Sequence, residues 1–302
     1  MSRQVAGAGA RAVRVGGRAR VVLLVGAVVS LAAFCWPLFA RPGAVLDGSN
    51  APLVLALLLP VVLAVVLVEV IDGSLDSKAL AMLGVLSAIG AALRPLGAGT
   101  AGVETVFFLL VLAGRVFGPG FGFVLGTTTL FTSALLTGGV GPWLPFQMMG
   151  AAWVGLGAGL LPPLRGWGER LLLAAYGAVA GLGYGLLLNL SFWPFVTGPS
   201  LQLSFDAAAG PVTNLKAFLL FSLATSLGWD VGRAVTNAVL VLAAGPALLA
   251  VLRRASHRAA FEAPVQFEAP VHDGAAGPGE RRIAVATRQR RDRSVCERED
   301  RT

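Results

Sequence analysis

The apolar positions of this chain are gathered into long runs, at residues 21–40, 52–71, 78–93, 103–117, 121–137, 146–161, 171–190 and within 214–252. Several approach the ~20 apolar residues that a helix needs to cross ~30 Å of hydrocarbon, and each reads as a membrane-spanning helix. Several are also short and rich in glycine, the pattern of closely packed membrane helices. Breakers lie between them: "DGSLDS", "RPLGAGTAG", "GPG", "GGVGPWLP", "PPLRGWG" and "SFWPFVTGPSLQLSFDAAAGPVT". The last apolar region is too long for one crossing and carries Gly228 in its middle. Crossing twice would carry the arginine-rich end of the chain outside, against the bias of basic residues toward the cytoplasm. The pattern therefore predicts an interfacial or half-inserted helix over 214–227, capped by Thr213 or Asn214, then one crossing over 229–252. The predicted fold class is all-α, a polytopic membrane helix bundle of about eight spans.

Composition supports that class: of 302 residues, 56% are hydrophobic and 13% charged, about half the usual charged share. The formal net charge of +8 invites a nucleic-acid reading, which the placement of the charges removes. Arg3, Arg11, Arg14, Arg18 and Arg20 precede the first run, and Arg253, Arg254 and Arg258 follow the last. This is the positive-inside pattern: both termini in the cytoplasm of a bacterial-type cell membrane, membrane lipids as partners and no nucleic acid. The first run is too long for a cleaved signal segment and ends in "CWPLFARPG" without a clean cleavage site, so it reads as a retained signal anchor. Cys35 in a span and Cys296 near the C-terminus cannot easily meet, and no disulfide framework is indicated. Residues 259–302 mix Arg, Glu, Asp, Gly and Pro with few aromatics, the composition of a disordered cytoplasmic tail.

With the termini inside, "DGSLDSK", the Arg115 turn and "PPLRGWGERL" face the cytoplasm, and the segments around 94–104, 138–147 and 191–213 face outward. The outward segments combine Trp143, Trp193 and Phe195 with Arg94, Glu104, Gln147 and Asp206, beside the end of the last crossing that carries Trp229, Asp230 and Arg233. Aromatic walls with a few convergent polar groups are typical of small-molecule pockets. The tryptophans fit an aromatic belt at the headgroups equally well. Asp230, Arg233 and Asn237 are spaced i, i+3 and i+7, one stripe of a helix. A charge at a bilayer centre costs from about 2.5 to more than 10 kcal/mol, so the carboxylate and guanidinium are expected to offset each other one turn apart. Asn237 lies deeper and needs a partner on a facing helix, with Asn189 and Gln147 as candidates. Two readings of the stripe stay open: a buried ion pair that fixes helix register, or the floor of a ligand pocket touched by Asp230 or Arg233. Arg94 and Glu104 either pair across the first outward segment or touch the ligand. Arg115 reads as an anchor for lipid phosphates or for a partner.

From Lys78 to Leu252 the order of elements resembles the membrane-embedded substrate-binding subunit, or S component, of energy-coupling factor (ECF) vitamin transporters. The resemblance runs through "ALAMLGVLSAIGAALRPLG", then "GVETVFFLLVLAGRVFGPGFGFVLG", then "TGGVGPWLPFQMMGAAWVGLGAGLL", and a closing helix followed by basic residues. Within it, "GGVGPWLPFQM" running into "GLGAGLL" resembles a branch linked to cobalamin uptake. The resemblance implies a six-helix core over 78–252, which leaves a basic N-terminal tail over 1–20, two additional spans over 21–77 and a disordered tail over 253–302. It implies small residues on the first core helix that let a coupling partner approach, here Gly84, Ala88 and Ala92; ordinary packing within the chain is the alternative. It also implies a vitamin held under the three outward segments, giving substrate-binding candidates Arg94, Glu104, Trp143, Gln147, Asn189, Trp193, Trp229, Asp230, Arg233 and Asn237. The partners would be the vitamin, a transmembrane coupling protein and ABC-type ATPases.

Signatures of intrinsic chemistry are few. The two histidines, His257 and His272, follow the last crossing, so no histidine-based intramembrane zinc site is expected. No Gly-x-Ser-x-Gly, His-Glu-x-x-His or Walker A pattern occurs. The expectation is a non-enzymatic subunit without cofactor or metal. Its rivals are an intramembrane enzyme acting on a lipid or isoprenoid headgroup, with a pocket open sideways to lipid, and a structural membrane protein.

Overall fold

The computed structural model describes residues 16–39, 51–75, 77–97, 102–195 and 203–261, with 51–56, 69, 70, 72–74 and 258–261 as backbone only. The expected tails over 1–15 and 262–302 lie outside the described residues. The helices are α1 (Gly17–Phe34), a single turn α2 (Trp36–Phe39), α3 (Ala51–Ser74), α4 (Ser77–Gly97), α5 (Phe107–Phe117), α6 (Pro119–Thr137), α7 (Leu144–Leu160), α8 (Gly166–Phe192), α9 (Pro211–Thr225) and α10 (Leu227–Phe261). A 3-10 turn, Trp193–Phe195, extends α8. No strand occurs among the described residues. Five segments are long and apolar enough to cross a membrane: Gly17–Phe34, Ser77–Gly97, Pro119–Thr137, Gly166–Phe195 and Leu227–His257. The chain is an all-α, polytopic membrane bundle.

Packing follows from the absence of a hydrophobic force between helices in lipid, where close van der Waals contact takes its place. The most extensive contacts join α6 to α7, α8 to α10, α4 to α6, and α5 to both α7 and α10. α1 pairs with α3, and the two reach the core through α6, α7 and α8. At the α6–α7 crossing a Cβ on Gly155 would collide with the carbonyl of Gly122, so the two backbones touch and only glycine fits. α5 is the central element, with Phe107 through Gly114 all buried. Its 11 residues rise only about 16 Å, and the irregular stretch 103–106 precedes it. Irregular backbone at membrane depth is tolerated where protein covers it. Val106 is fully buried, and the Thr105 hydroxyl donates to the Leu93 carbonyl near the end of α4 at 2.6 Å.

The C-terminal third differs in detail from expectation. α9 starts at Pro211 after Gly210, a residue pair suited to a helix start because proline has no N–H to leave unpaired. Asn214 is no cap; it is buried, donating to the Asp206 carbonyl (2.8 Å) and accepting from the Asp206 N–H (3.2 Å). At 15 residues, α9 spans about 22 Å, short of a crossing. α10 continues unbroken to Phe261, so 253–261, expected as the start of a disordered tail, is helical. Buried Leu249, Leu252 and Ser256 hold one face of this extension against the bundle, and Arg253 is tied to Glu169.

Candidate functional site

Helix directions bring the end of α4, the starts of α5, α7 and α10 and the end of α8 to one end of the bundle, the Trp229 end. There the first turns of α10 lay Asp230, Arg233 and Asn237 along α8, as their spacing requires. α8 receives them on Gly177, Gly181 and Gly185, four residues apart. A Cβ on Gly185 would collide with Asp230 Oδ1 and Arg233 Nη1, and one on Gly181 would lie 3.3 Å from Arg233 Cγ. The missing side chains make the groove that holds the charged stripe.

Arg233 is the hub. Its Nη1 donates to Asp230 Oδ1 (2.7 Å) and to the Gly181 carbonyl (3.3 Å), and its Nε donates to Glu104. The guanidinium carbon sits 5.4 Å from the Tyr184 ring centre, a cation–π contact in a desolvated setting. The side chains of Arg233, Glu104 and Asp230 are 14%, 20% and 10% exposed, so one guanidinium serves two largely buried carboxylates. Glu104 is delivered by the irregular stretch before α5, which is seated by Gly102. That glycine has φ +77°, and a Cβ on it would collide with the Trp229 carbonyl. Only glycine tolerates both the left-handed conformation and the contact.

The remaining expected site residues divide. Arg94 does not pair with Glu104; its Nη2 donates to Gln147 Oε1 at 3.0 Å, which joins α4 to α7 at the same end. Trp143 and Trp229 are exposed. Trp193, expected as a pocket wall, is fully buried; its Nε1 donates to the Leu203 carbonyl (2.7 Å) and its ring packs on Phe205 and Phe218. Its place is structural, fastening 203–225 to the bundle. Asn237 finds no partner on a facing helix; its Nδ2 donates back to the Arg233 carbonyl (2.9 Å), and its Oδ1 has no partner among the described residues. Asn189 Nδ2 is likewise buried and unpartnered among them. Gly84, Ala88 and Ala92 are exposed on α4, and among the described residues nothing lies within 4 Å of a Cβ placed on Gly84. This stripe does not serve packing within the described chain.

The charged groups Glu104, Asp230 and Arg233 at the Trp229 end are thus paired with one another, and two cavities lie on the flanks. One, of about 260 Å³, sits between α1, α7 and α8 and is lined by Phe34, Trp153, Tyr176 and Tyr184 among others. The second, of about 370 Å³, sits between α3, α6 and α7 around Leu63, Thr128, Phe131 and Met148. Among the described residues no His, Cys, Asp and Glu side chains cluster so as to hold a metal ion.

At the opposite end, Glu169 accepts from Arg115 Nε (2.8 Å) and from Arg253 Nη2 (2.7 and 2.8 Å). Arg115, expected to reach lipid phosphates or a partner, is instead consumed inside the protein. Its Nη1 and Nη2 donate to the carbonyls of Leu161 (2.9 Å) and Leu164 (3.4 Å). Sequence reading missed the α8 glycine ladder, Tyr184 and this second ionic cluster. The ladder was visible as Gly-xxx-Gly-xxx-Gly in "GAVAGLGYG", the same small-residue logic that was applied only to α4. No protein-family model, curated protein or solved structure matches the chain.

Proposed function

We propose that the chain is the substrate-binding membrane subunit of an ECF-type vitamin uptake transporter, with cobalamin as the first candidate substrate. It is not an enzyme. It captures the vitamin from outside at the Trp229 end of a cell-membrane bundle whose termini are cytoplasmic. It then docks on a transmembrane coupling protein driven by separate ABC-type ATPases. The observation that carries this reading is the division of labour on α4. One face presents Gly84, Ala88 and Ala92 to the surface with nothing among the described residues packed on Gly84, a stripe on which a partner helix can lie closely. Its end delivers Arg94 to the polar end of the bundle, where Arg94–Gln147 links α4 to α7 and Glu104–Arg233 links the stretch before α5 to α10. Substrate entering there exchanges protein partners for its own polar groups and lifts Gly102 from Trp229, a loop motion of the kind that gates many binding sites.

Calorimetry of the purified chain against a vitamin panel, without metal or nucleotide, tests the reading: one vitamin binds tightly, and silence across the panel refutes it. Ala88→Leu should preserve that binding while abolishing association with the coupling protein. Labelling of single cysteines placed at Trp143 and Arg165 should report opposite sides of the membrane. A second reading, an intramembrane enzyme acting on a lipid headgroup, is favoured by one observation: the flank cavity shares Tyr184 with the Arg233 cluster. Turnover of a lipid substrate by the chain alone would select it.

A further inference from the structure

Away from the Trp229 end, the end of α5, the turn between α7 and α8, the start of α8 and the neighbouring part of α10 carry Arg115, Arg165, Arg170, Arg253 and Arg254, and two of these reach the carboxylate of Glu169. The hydrogen bonds engage these arginines unequally: Arg115 is spent, while Arg253 and Arg254 each commit one nitrogen, to Glu169 and to the Ala250 carbonyl. Arg115 uses all three nitrogens inside the protein, on Glu169, Leu161 and Leu164. Arg253 reaches Glu169 through Nη2 alone and its side chain remains 47% exposed. Glu169 already neutralises one of its two bound guanidiniums, so a positive charge is left over at the cluster itself. Arg165 and Arg170 flank it on the turn and the first turn of α8, and Arg254 follows Arg253 on α10.

Apolar surface adjoins this charge. Trp167 is 69% exposed, with the Arg170 guanidinium carbon 5.0 Å from its ring centre. Leu164 and Leu171 are exposed beside it. An exposed tryptophan at the end of a membrane span belongs at headgroup depth, and Leu171, one turn into α8, continues the wall toward hydrocarbon. The complement to such a surface is one molecule that carries an anionic head and an apolar tail. Guanidinium pairs take phosphate oxygens in bidentate fashion, with geometry that an ammonium lacks.

We propose that this rim is a binding site for an anionic phospholipid, its phosphate held by Arg165, Arg170, Arg253 and Arg254 and its upper acyl chain lying on Trp167 and Leu171. The bound lipid supplies the counter-charge that the two-arginine, one-glutamate cluster lacks. It also fixes the depth of the α7–α8 turn in its leaflet. This assignment rests on the membrane character of the chain and not on its being a vitamin transporter.

Native mass spectrometry of the full chain in micelles, titrated with phosphatidylglycerol and phosphatidylcholine of identical acyl chains, tests it. Each basic residue near an anionic lipid contributes about fivefold to affinity, so phosphatidylglycerol should be retained at least about tenfold over phosphatidylcholine. The combined variant Arg165→Ala/Arg170→Ala/Arg254→Ala should bring the two lipids to equal retention, while Lys216→Ala, the loss of one charge on α9, leaves the preference intact. Equal retention of both lipids by the unaltered chain would hand the arginines to an acidic protein segment and overturn the proposal. So would a preference that survives in the triple variant. Should that variant not fold, salt decides on the unaltered chain: raising it from about 0.05 to 0.5 M should shrink the preference through screening, and indifference to salt refutes a headgroup site.

Discussion

Replacing Arg233 by methionine keeps most of the apolar stem and removes only the guanidinium. Glu104 and Asp230, 20% and 10% exposed, would then face each other across the Gly181–Gly185 groove with no cation between them. Removing one partner of a buried ion pair costs about 3–5 kcal/mol, because the other charge is left uncompensated in a poor solvent. Glu104 keeps some access to water, which places the expected loss near the lower limit, about 3 kcal/mol. Stability is read by titrating the detergent-solubilised chain with denaturant and following tryptophan fluorescence and helical circular dichroism together. The companion variant Glu104→Gln/Arg233→Met/Asp230→Asn, which removes all three charges, should recover about half of the loss or more. A loss below about 1 kcal/mol in the single variant would put the triad in the class of exposed surface pairs and refute the hub role of Arg233. A triple variant no better than the single one would show that lost packing, not charge, was responsible.

The same reasoning extends to other positions. Gly185→Ala inserts a methyl group where Asp230 and Arg233 already lie, so it should cost about 1–3 kcal/mol, measured in the same titration. Trp193→Ala should remove about 3–5 kcal/mol of packing and speed protease cleavage within 203–225, because the fully buried indole fastens that stretch; unchanged cleavage would contradict that role. Glu169→Gln leaves Arg115 and Arg253 facing each other without a carboxylate, and should lower the melting temperature and increase hydrogen exchange in α10 beyond Leu249.

What the sequence made legible was set by how local each interaction is. The helices are written in runs of apolar residues, and the pairing of Asp230 with Arg233 needs only the period of a helix, so both could be read without coordinates, although five of the about eight expected spans are long and apolar enough to cross among the described residues. Glu104 meets Arg233 and Arg94 meets Gln147 across 129 and 53 residues, and no spacing rule reaches that far. Trp193 illustrates the opposite error. A tryptophan in a polar, glycine-rich connection has the composition of a pocket wall, and only the fold places Phe205 and Phe218 around it. Arg115 is a similar case, since its partner Glu169 lies in another helix, 54 residues away. Asn237 was expected to need a partner on a neighbouring helix, but a short amide within reach of its own helix backbone can bond there instead.

Along α10, Arg233 and Arg253 stand twenty residues apart, about 30 Å at 1.5 Å per residue, which is the thickness of the hydrocarbon itself. α10 is anchored to α8 near both of these positions, through the Gly181 carbonyl at one and Glu169 at the other. Neither guanidinium can sink without drawing its opposite number out of register with the far boundary. The two helices therefore act as a caliper on the bilayer, and a thinner or thicker membrane must be met by tilt of the joined pair, not by slippage between its members.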